Sequence, residues 1–286
     1  MSVWMVRDRT PSFIIPITTL RIGNGNGDVK GLRLPLLSNK SWQFQLQFQQ
    51  RNKEKKKRQN VTISYTNSSS GGDSASAALE LEVNEIRESC KIWKWKGQYS
   101  INYLVSSTPN SHPNSPPLLL VHGFGASIPH WRSMSFPYEY WHPAKSYTVY
   151  AIDLLGFGAS DKPAGYSYTM EGWAQLILDF LDEVVKKPTV LIGNSVGSVI
   201  AASGPPGPNP VQLMPSISIP VLVLWGDEDP FTPLGGPVGK YFSSLPSKLS
   251  NVKLIVLDGV GHCPHDDSPE LVHEKLLLWL AETFNF

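Results

Sequence analysis

One short stretch carries the chemistry of this chain. Val190-Leu191-Ile192 runs into Gly193-Asn194-Ser195-Val196-Gly197-Ser198, a β-branched apolar run followed by Gly-x-Ser-x-Gly. This is the pattern of a nucleophile elbow: a buried strand, a sharp turn with serine at its apex, then a helix. Side chains two residues before and after that serine would collide with the flanking strand and helix, and Gly193 and Gly197 remove them. Ser195 is therefore a candidate nucleophile, held at a helix N-terminus that favours developing negative charge.

Polar groups that could serve this serine follow other apolar runs. His122-Gly123-Phe124-Gly125 follows the run at 118–121, and Asp153-Leu154-Leu155-Gly156-Phe157-Gly158-Ala159-Ser160-Asp161 follows the run at 147–152. Gly226-Asp227-Glu228-Asp229-Pro230 follows the run at 221–224, and Gly259-Val260-Gly261-His262 follows the run at 254–257. A hydroxyl, a carboxylate and an imidazole thus come in the order Ser, Asp, His. Together they can run acyl transfer: His262 removes the serine proton, and a carboxylate, Asp227 or Asp229, orients the imidazole. His122 reads as a support for its loop, and Asp153 and Asp161 as braces of loop geometry. His265 and His273 read as surface residues, and Cys263 as a small packing residue.

The elements that must position these groups are legible. Leu118-Leu119-Leu120-Val121, residues 147–152, 189–192, 221–224 and 254–257 are continuous apolar runs, as strands buried on both faces of a parallel sheet must be. Residues 92–95 and 99–104 alternate apolar and polar, which predicts an antiparallel edge hairpin turning at Lys96-Gly97-Gln98. Apolar residues at three- and four-residue steps from Met170 to Lys187 predict a helix stopped by Pro188. Ser268-Pro269 opens another, carrying Val272, Leu276, Trp279 and Leu280. Strand and helix alternate, so the fold class is α/β: a doubly wound, mostly parallel sheet with an antiparallel edge hairpin, its functional groups at the carboxyl ends of the strands.

Composition divides the chain. Residues 1–72 carry twelve Lys and Arg against three Asp and Glu, a balance of +9, while the whole chain has a net charge of +1. The remainder is mildly acidic, which argues against a nucleic-acid partner. Residues 1–78 are basic and rich in Ser, Thr, Asn and Gln. They include the charged run 51–58 and the linker-like run 68–72. They read as a disordered organellar transit leader with too little apolar periodicity to join a core, leaving residues 80–286 as the folded domain. The two cysteines, Cys90 and Cys263, are too few for a disulfide framework and have no metal-ligand spacing.

The motifs from Trp93 to Trp279 resemble the α/β-hydrolase superfamily, whose triad follows the chain order Ser, Asp, His. Closer similarity is to plant chloroplast hydrolases of chlorophyll-type phytyl esters, the chlorophyll dephytylase and pheophytinase group. It rests on residues 121–131, 151–163, 192–198 and 261–267. The resemblance implies Ser195 as nucleophile, His262 as base and Asp229, the aspartate immediately before proline, as the third member. It implies an oxyanion hole from the backbone N–H groups of Phe124 and Val196. It further implies a small apolar ester as substrate, a chloroplast location, peripheral contact with the thylakoid membrane, and no metal or organic cofactor. Serine at the elbow, where epoxide- and halide-cleaving relatives carry aspartate, points to acyl transfer to water, with hydrolysis of an ester, a thioester or a related bond.

One departure bears on all of this. Asp229 follows Ser195 by only 34 residues. The family holds a further βα unit and a lid in a much longer interval. Here Gly204-Pro205-Pro206-Gly207-Pro208-Asn209-Pro210 breaks the chain after the elbow helix, so most of the lid, between 203 and 211, and one strand are missing. Neighbouring strands lie about 4.8 Å apart, more than catalytic contact tolerates. The sheet must close up and displace the triad, or leave a gap lined with unpaired backbone groups. The alternative function is accordingly a catalytically inactive truncated hydrolase that retains ligand binding. A second departure is the run 133–143, where the family has an amphipathic helix.

Overall fold

Every apolar run read as a buried strand forms a strand in the computed structural model, which describes residues 2–7, 72–107, 115–135, 147–202 and 214–284. The run 254–257 is not buried on both faces, because its strand lies at the sheet edge with Leu254 and Ile255 half-buried and Val256 exposed. In chain order these form strand β1 (Ser2–Arg7), helix α1 (Gly72–Glu88), β2 (Lys91–Trp95), β3 (Tyr99–Ser106), β4 (Leu118–Val121) and α2 (Arg132–Ser135). There follow β5 (Val149–Ile152), α3 (Met170–Phe180), β6 (Thr189–Asn194) and α4 (Val196–Ala202). The described chain ends with β7 (Val221–Gly226), α5 (Pro237–Ser243), β8 (Val252–Leu257), α6 (Pro264–Asp267) and α7 (Pro269–Phe284). The charged run 51–58, residues 68–71 of the linker, residues 136–143 and the break at 204–210 lie outside the described residues.

The strands form one sheet in the order β2-β3-β5-β4-β6-β1-β7-β8. β4 pairs parallel with β5 and β6, and β7 pairs parallel with β8. The hairpin β2–β3 joins β5 antiparallel, and Lys96 and Gly97 turn it with positive φ. Alternate residues of each buried strand serve two cores. Leu119, Val121, Leu191 and Val223 pack with Trp173, Ile177, Phe180 and Ile200 from α3 and α4. Leu118, Leu120, Ile192 and Leu224 pack on the other face with Ile86, Trp131, Leu276 and Leu280. Apolar layers on both faces are why these strands lack alternation.

α3 starts where the Thr169 hydroxyl accepts from the Gly172 N–H at 3.0 Å. Its last turn, Leu181–Val185, widens, and Lys186 closes it in the left-handed region at φ 59°. The expected helix to Lys187 thus ends two residues early, at Val185, ahead of Pro188.

The vacancy foreseen between the elbow strand and its successor is real, and it is filled. β1 lies between β6 and β7, antiparallel to both. Ser2 stands opposite Asn194 and Leu224, Trp4 opposite Ile192 and Leu222, and Met5 opposite Leu191 and Val221. The reading of residues 1–78 as a leader outside the fold therefore does not hold for Ser2–Arg7. Nor does the boundary at 80 hold, because α1 starts at Gly72. The physical reason is backbone pairing. β6 and β7 are buried along their whole length, and an open slot would orphan a row of their N–H and C=O groups. Ser-Val-Trp-Met-Val-Arg has the β-branched and aromatic content that suits an extended strand.

Candidate active site

The elbow is built as its glycines require. Ser195 holds φ 53°, a region that non-glycine residues avoid. A Cβ on Gly193 would lie 2.4 Å from the Gly197 carbonyl carbon, and one on Gly197 would lie 2.1 Å from the Val121 carbonyl oxygen. Both are backbone atoms with no room to yield. The Ser198 hydroxyl donates to the Gly193 carbonyl at 2.7 Å and staples the turn to the first turn of α4.

The imidazole and the carboxylate meet. His262 Nδ1 lies 2.7 Å from Asp229 Oδ2. Asp229 also accepts from the Phe231 N–H at 2.8 Å, the Thr232 N–H at 2.9 Å and the Thr232 hydroxyl at 2.6 Å. Burial alone would raise the Asp229 pKa. The hydrogen bonds from His262 and then Thr232 outweigh it and hold the carboxyl well below its ordinary range. An ionised carboxylate there fixes the proton on Nδ1 and leaves Nε2 as the basic nitrogen.

Asp227, the other candidate acid, is turned to a different task. Its carboxylate accepts from the Gly259 N–H at 2.8 Å and the Val260 N–H at 3.4 Å, bracing the loop that delivers His262. Gly226 lets that loop pass, since a Cβ there would lie 2.1 Å from the Val260 carbonyl oxygen.

Serine and histidine loops are joined directly. The Asn194 side chain donates to the His262 carbonyl at 3.1 Å, and the Cys263 thiol reaches Asn194 Oδ1 at 3.7 Å. Asn194 and Thr232 are the site residues that the motifs carry without a role. Asp229-Pro230-Phe231-Thr232 has the short acid-to-hydroxyl spacing of a side-chain-capped turn, and that is the signal for Thr232. Asn194 has no such signal.

The loop after β4 closes against the elbow. A Cβ on Gly123 would come within 3.2 Å of Ser195 Cβ. Phe124, whose N–H is one expected oxyanion donor, follows it, and Val196, the other, opens α4. His122 is fully buried, accepts from the Leu154 N–H at Nε2 and lies 2.7 Å from the Gly123 carbonyl at Nδ1. Burial lowers its pKa, so it is a neutral brace of this loop. Asp153 holds the Ile128 and Ala159 N–H groups and the Asn102 amide, and Asp161 holds the Ser100 N–H. Both act as loop braces.

The histidines read as surface residues are not at the surface. His265 and His273 are buried, and His265 stacks on Trp131 with ring centroids 3.9 Å apart. Aromatic packing won over the polarity of the residue type. Burial pushes the Cys263 thiol up to about 11, which makes it a poor nucleophile. Apolar rings rim the site: Phe231 lies 4.9 Å from His262 between ring centroids, Phe124 lies 5.3 Å from Phe157, and Phe124 and Phe231 are exposed. Among the described residues, no group of three or more His, Cys, Asp or Glu is placed to hold a metal ion.

Known proteins share the fold that carries these groups. Residues 116–203, from β4 through the elbow, match the family model of the alpha/beta hydrolase fold. The 2-hydroxymuconate semialdehyde hydrolase of Pseudomonas sp. (strain CF600) is 35% identical over 85 residues, covering 30% of this chain and 29% of that protein. A Homo sapiens protein described as a candidate protein-lysine deacylase is 26% identical over 181 residues, covering 57% of this chain and 82% of its own length. The chain spans less than a third of the length of the first curated relatives it matches. Among solved structures, a bacterial membrane phospholipase A superposes with TM-score 0.57 at 20% identity, over 73% of this chain and 93% of that one. Sheet order, elbow and matched segment together place the chain in the α/β-hydrolase fold.

Proposed function

We propose that this chain is a serine hydrolase of carboxylic esters in which Ser195, His262 and Asp229 act as one unit. The observation that carries the reading is the 2.7 Å contact between His262 and a depressed-pKa Asp229, on a loop tied by Asn194 to the elbow. His262 Nε2 takes the Ser195 proton as Oγ attacks the ester carbonyl. The N–H groups of Phe124 and Val196 hold the resulting oxyanion, a contribution of about 3 kcal/mol per donor. His262 then gives its proton to the departing alcohol oxygen. Water, deprotonated by the same nitrogen, releases the acid from the acyl-serine.

The exposed Phe124 and Phe231 favour an apolar ester. A phytyl-type ester is the finer proposal, on the motif resemblance. The plastid location and contact with the thylakoid surface are proposals on the basic composition of residues 1–72. The inactive-isoform reading rested on a gap or collapse beside the elbow, and β1 occupying that slot favours the active reading.

The test is turnover of p-nitrophenyl esters of increasing acyl length by the full chain and by Ser195→Ala. Activity that rises with chain length and vanishes in the variant supports the proposal. Equal turnover by both proteins overturns it.

A further inference from the structure

Ser195 follows β6, Asp229 follows β7 and His262 follows β8. The two halves of the candidate site therefore stand on opposite sides of β1. With one strand between them, β6 and β7 lie two spacings apart, about 9.6 Å. Loss of that strand leaves either an open slot or a sheet closed by one spacing, about 4.8 Å. A misplacement of 1 Å at reacting atoms can cost about a hundredfold in rate.

We propose that Ser2–Arg7 is a positioning strand of the active site: it holds β6 and β7 at the separation that lets His262 reach Ser195, so hydrolysis depends on this segment staying seated. The proposal rests on the serine-hydrolase reading for its catalytic consequence, and on the sheet alone for its structural one.

Three observations support it. The register brings Ser2 level with Asn194, the residue before the nucleophile, so the strand reaches the catalytic edge. The pairing is two-sided, six residue pairs with β6 and four with β7, so β1 is an interior strand. The strand is antiparallel, whereas a βα unit between β6 and β7 would supply a parallel one, so the slot is filled by a donated segment.

A consequence follows for the basic leader. Cleavage anywhere between residues 8 and 78 that lets residues 2–7 leave would silence the enzyme. A leader that is removed and a strand that completes the site are mutually exclusive uses of the same residues, so the plastid location proposed above requires Ser2–Arg7 to stay seated after import.

The experiment uses the full chain with Trp4→Pro, which deletes the N–H at the middle of β1, and Trp4→Val, which keeps a strand former. Amide hydrogen exchange is followed over residues 190–192 and 222–224, and kcat and KM are measured on a p-nitrophenyl ester. The proline variant is expected to lose exchange protection at both strands and about a hundredfold in kcat, with KM changed far less. The valine variant should stay within about threefold of the parent, and excess peptide of sequence 1–10 should restore the proline variant. Should the proline variant not fold, refolding it with the peptide must recover it, and failure to do so counts against the proposal. Unchanged protection and kcat in the proline variant overturn it. Lost protection in β6 and β7, with a parent chain that never turns over ester, upholds the strand and counts against the hydrolase reading instead.

Discussion

Strand β6 has two neighbours obtained in opposite ways. On one side β4 pairs with it in parallel and delivers the Gly123 loop against Ser195. On the other side β1 pairs antiparallel, from nearly two hundred residues away in the sequence. The β4 side is specified many times over: three glycines are shaped by contacts that admit no Cβ without movement, and a hydroxyl staple fixes the turn. The β1 side is specified by a backbone ladder that any suitable extended segment could make. The geometry around the elbow is half locally encoded and half donated, and the two halves should fail differently.

The largest effect falls on the reacting atom. Ser195→Ala should lower kcat by about 10⁶-fold with Tm unchanged, since the elbow backbone keeps its conformation. Asp229→Asn should follow, at about 10⁴-fold in kcat, because it loses the correct imidazole tautomer. Asp227→Ala sharpens the contrast between the two carboxylates. It should keep kcat within about tenfold while lowering stability by about 1–2 kcal/mol through the freed Gly259 and Val260 N–H groups.

Gly197→Ala tests the local half without touching chemistry. Its Cβ would meet the Val121 backbone, so the cost should be about 3 kcal/mol or more, read as a Tm lower by about 10 °C. A Tm within a degree of the parent would show that the elbow can relax and that the local half is less constrained than its contacts indicate.

Acid sensitivity gives a smaller effect with a definite sign. The folded-state pKa of Asp229 lies below its unfolded value. The stabilisation is therefore complete above the ordinary carboxylate pKa of about 3.9 and is lost as pH falls through that value toward the folded one. Thr232→Val removes one hydrogen bond that depresses this pKa. It should destabilise by about 1 kcal/mol at neutral pH, and the difference in Tm should shrink as the pH is taken down toward 2. A difference that does not change with pH would mean the hydroxyl acts by packing. The smallest effect belongs to Cys263. With its thiol at about 11, alkylation at pH 8 should be slow and Cys263→Ala should leave kcat near that of the parent.

The same contrast sets what could be read from the sequence. Gly193, Ser195 and Gly197 constrain one another within five residues, so the elbow was legible, as were the strands packed on both faces; the choice of Asp229 over Asp227 came from the family resemblance and not from local spacing. The vacancy itself was legible from the 34 residues separating Ser195 and Asp229. Its occupant was not. Val3-Trp4-Met5-Val6 is a short apolar run inside a long polar, basic stretch, and a strand of six residues needs no periodicity beyond its own length. Pairing between segments so distant leaves no local signature in either. His265 was misread for a related reason: its type says polar, and only the tertiary placement of Trp131 over its ring makes it a core residue.

In the proposed mechanism Ser195 is activated by the His262–Asp229 pair. The most direct test of that activation is covalent labelling of the full chain with a fluorophosphonate, read by intact mass and peptide mapping. One adduct is expected, on Ser195, absent in Ser195→Ala and slowed by orders of magnitude in Asp229→Asn. Labelling at another residue, or at an undiminished rate in Asp229→Asn, would contradict it.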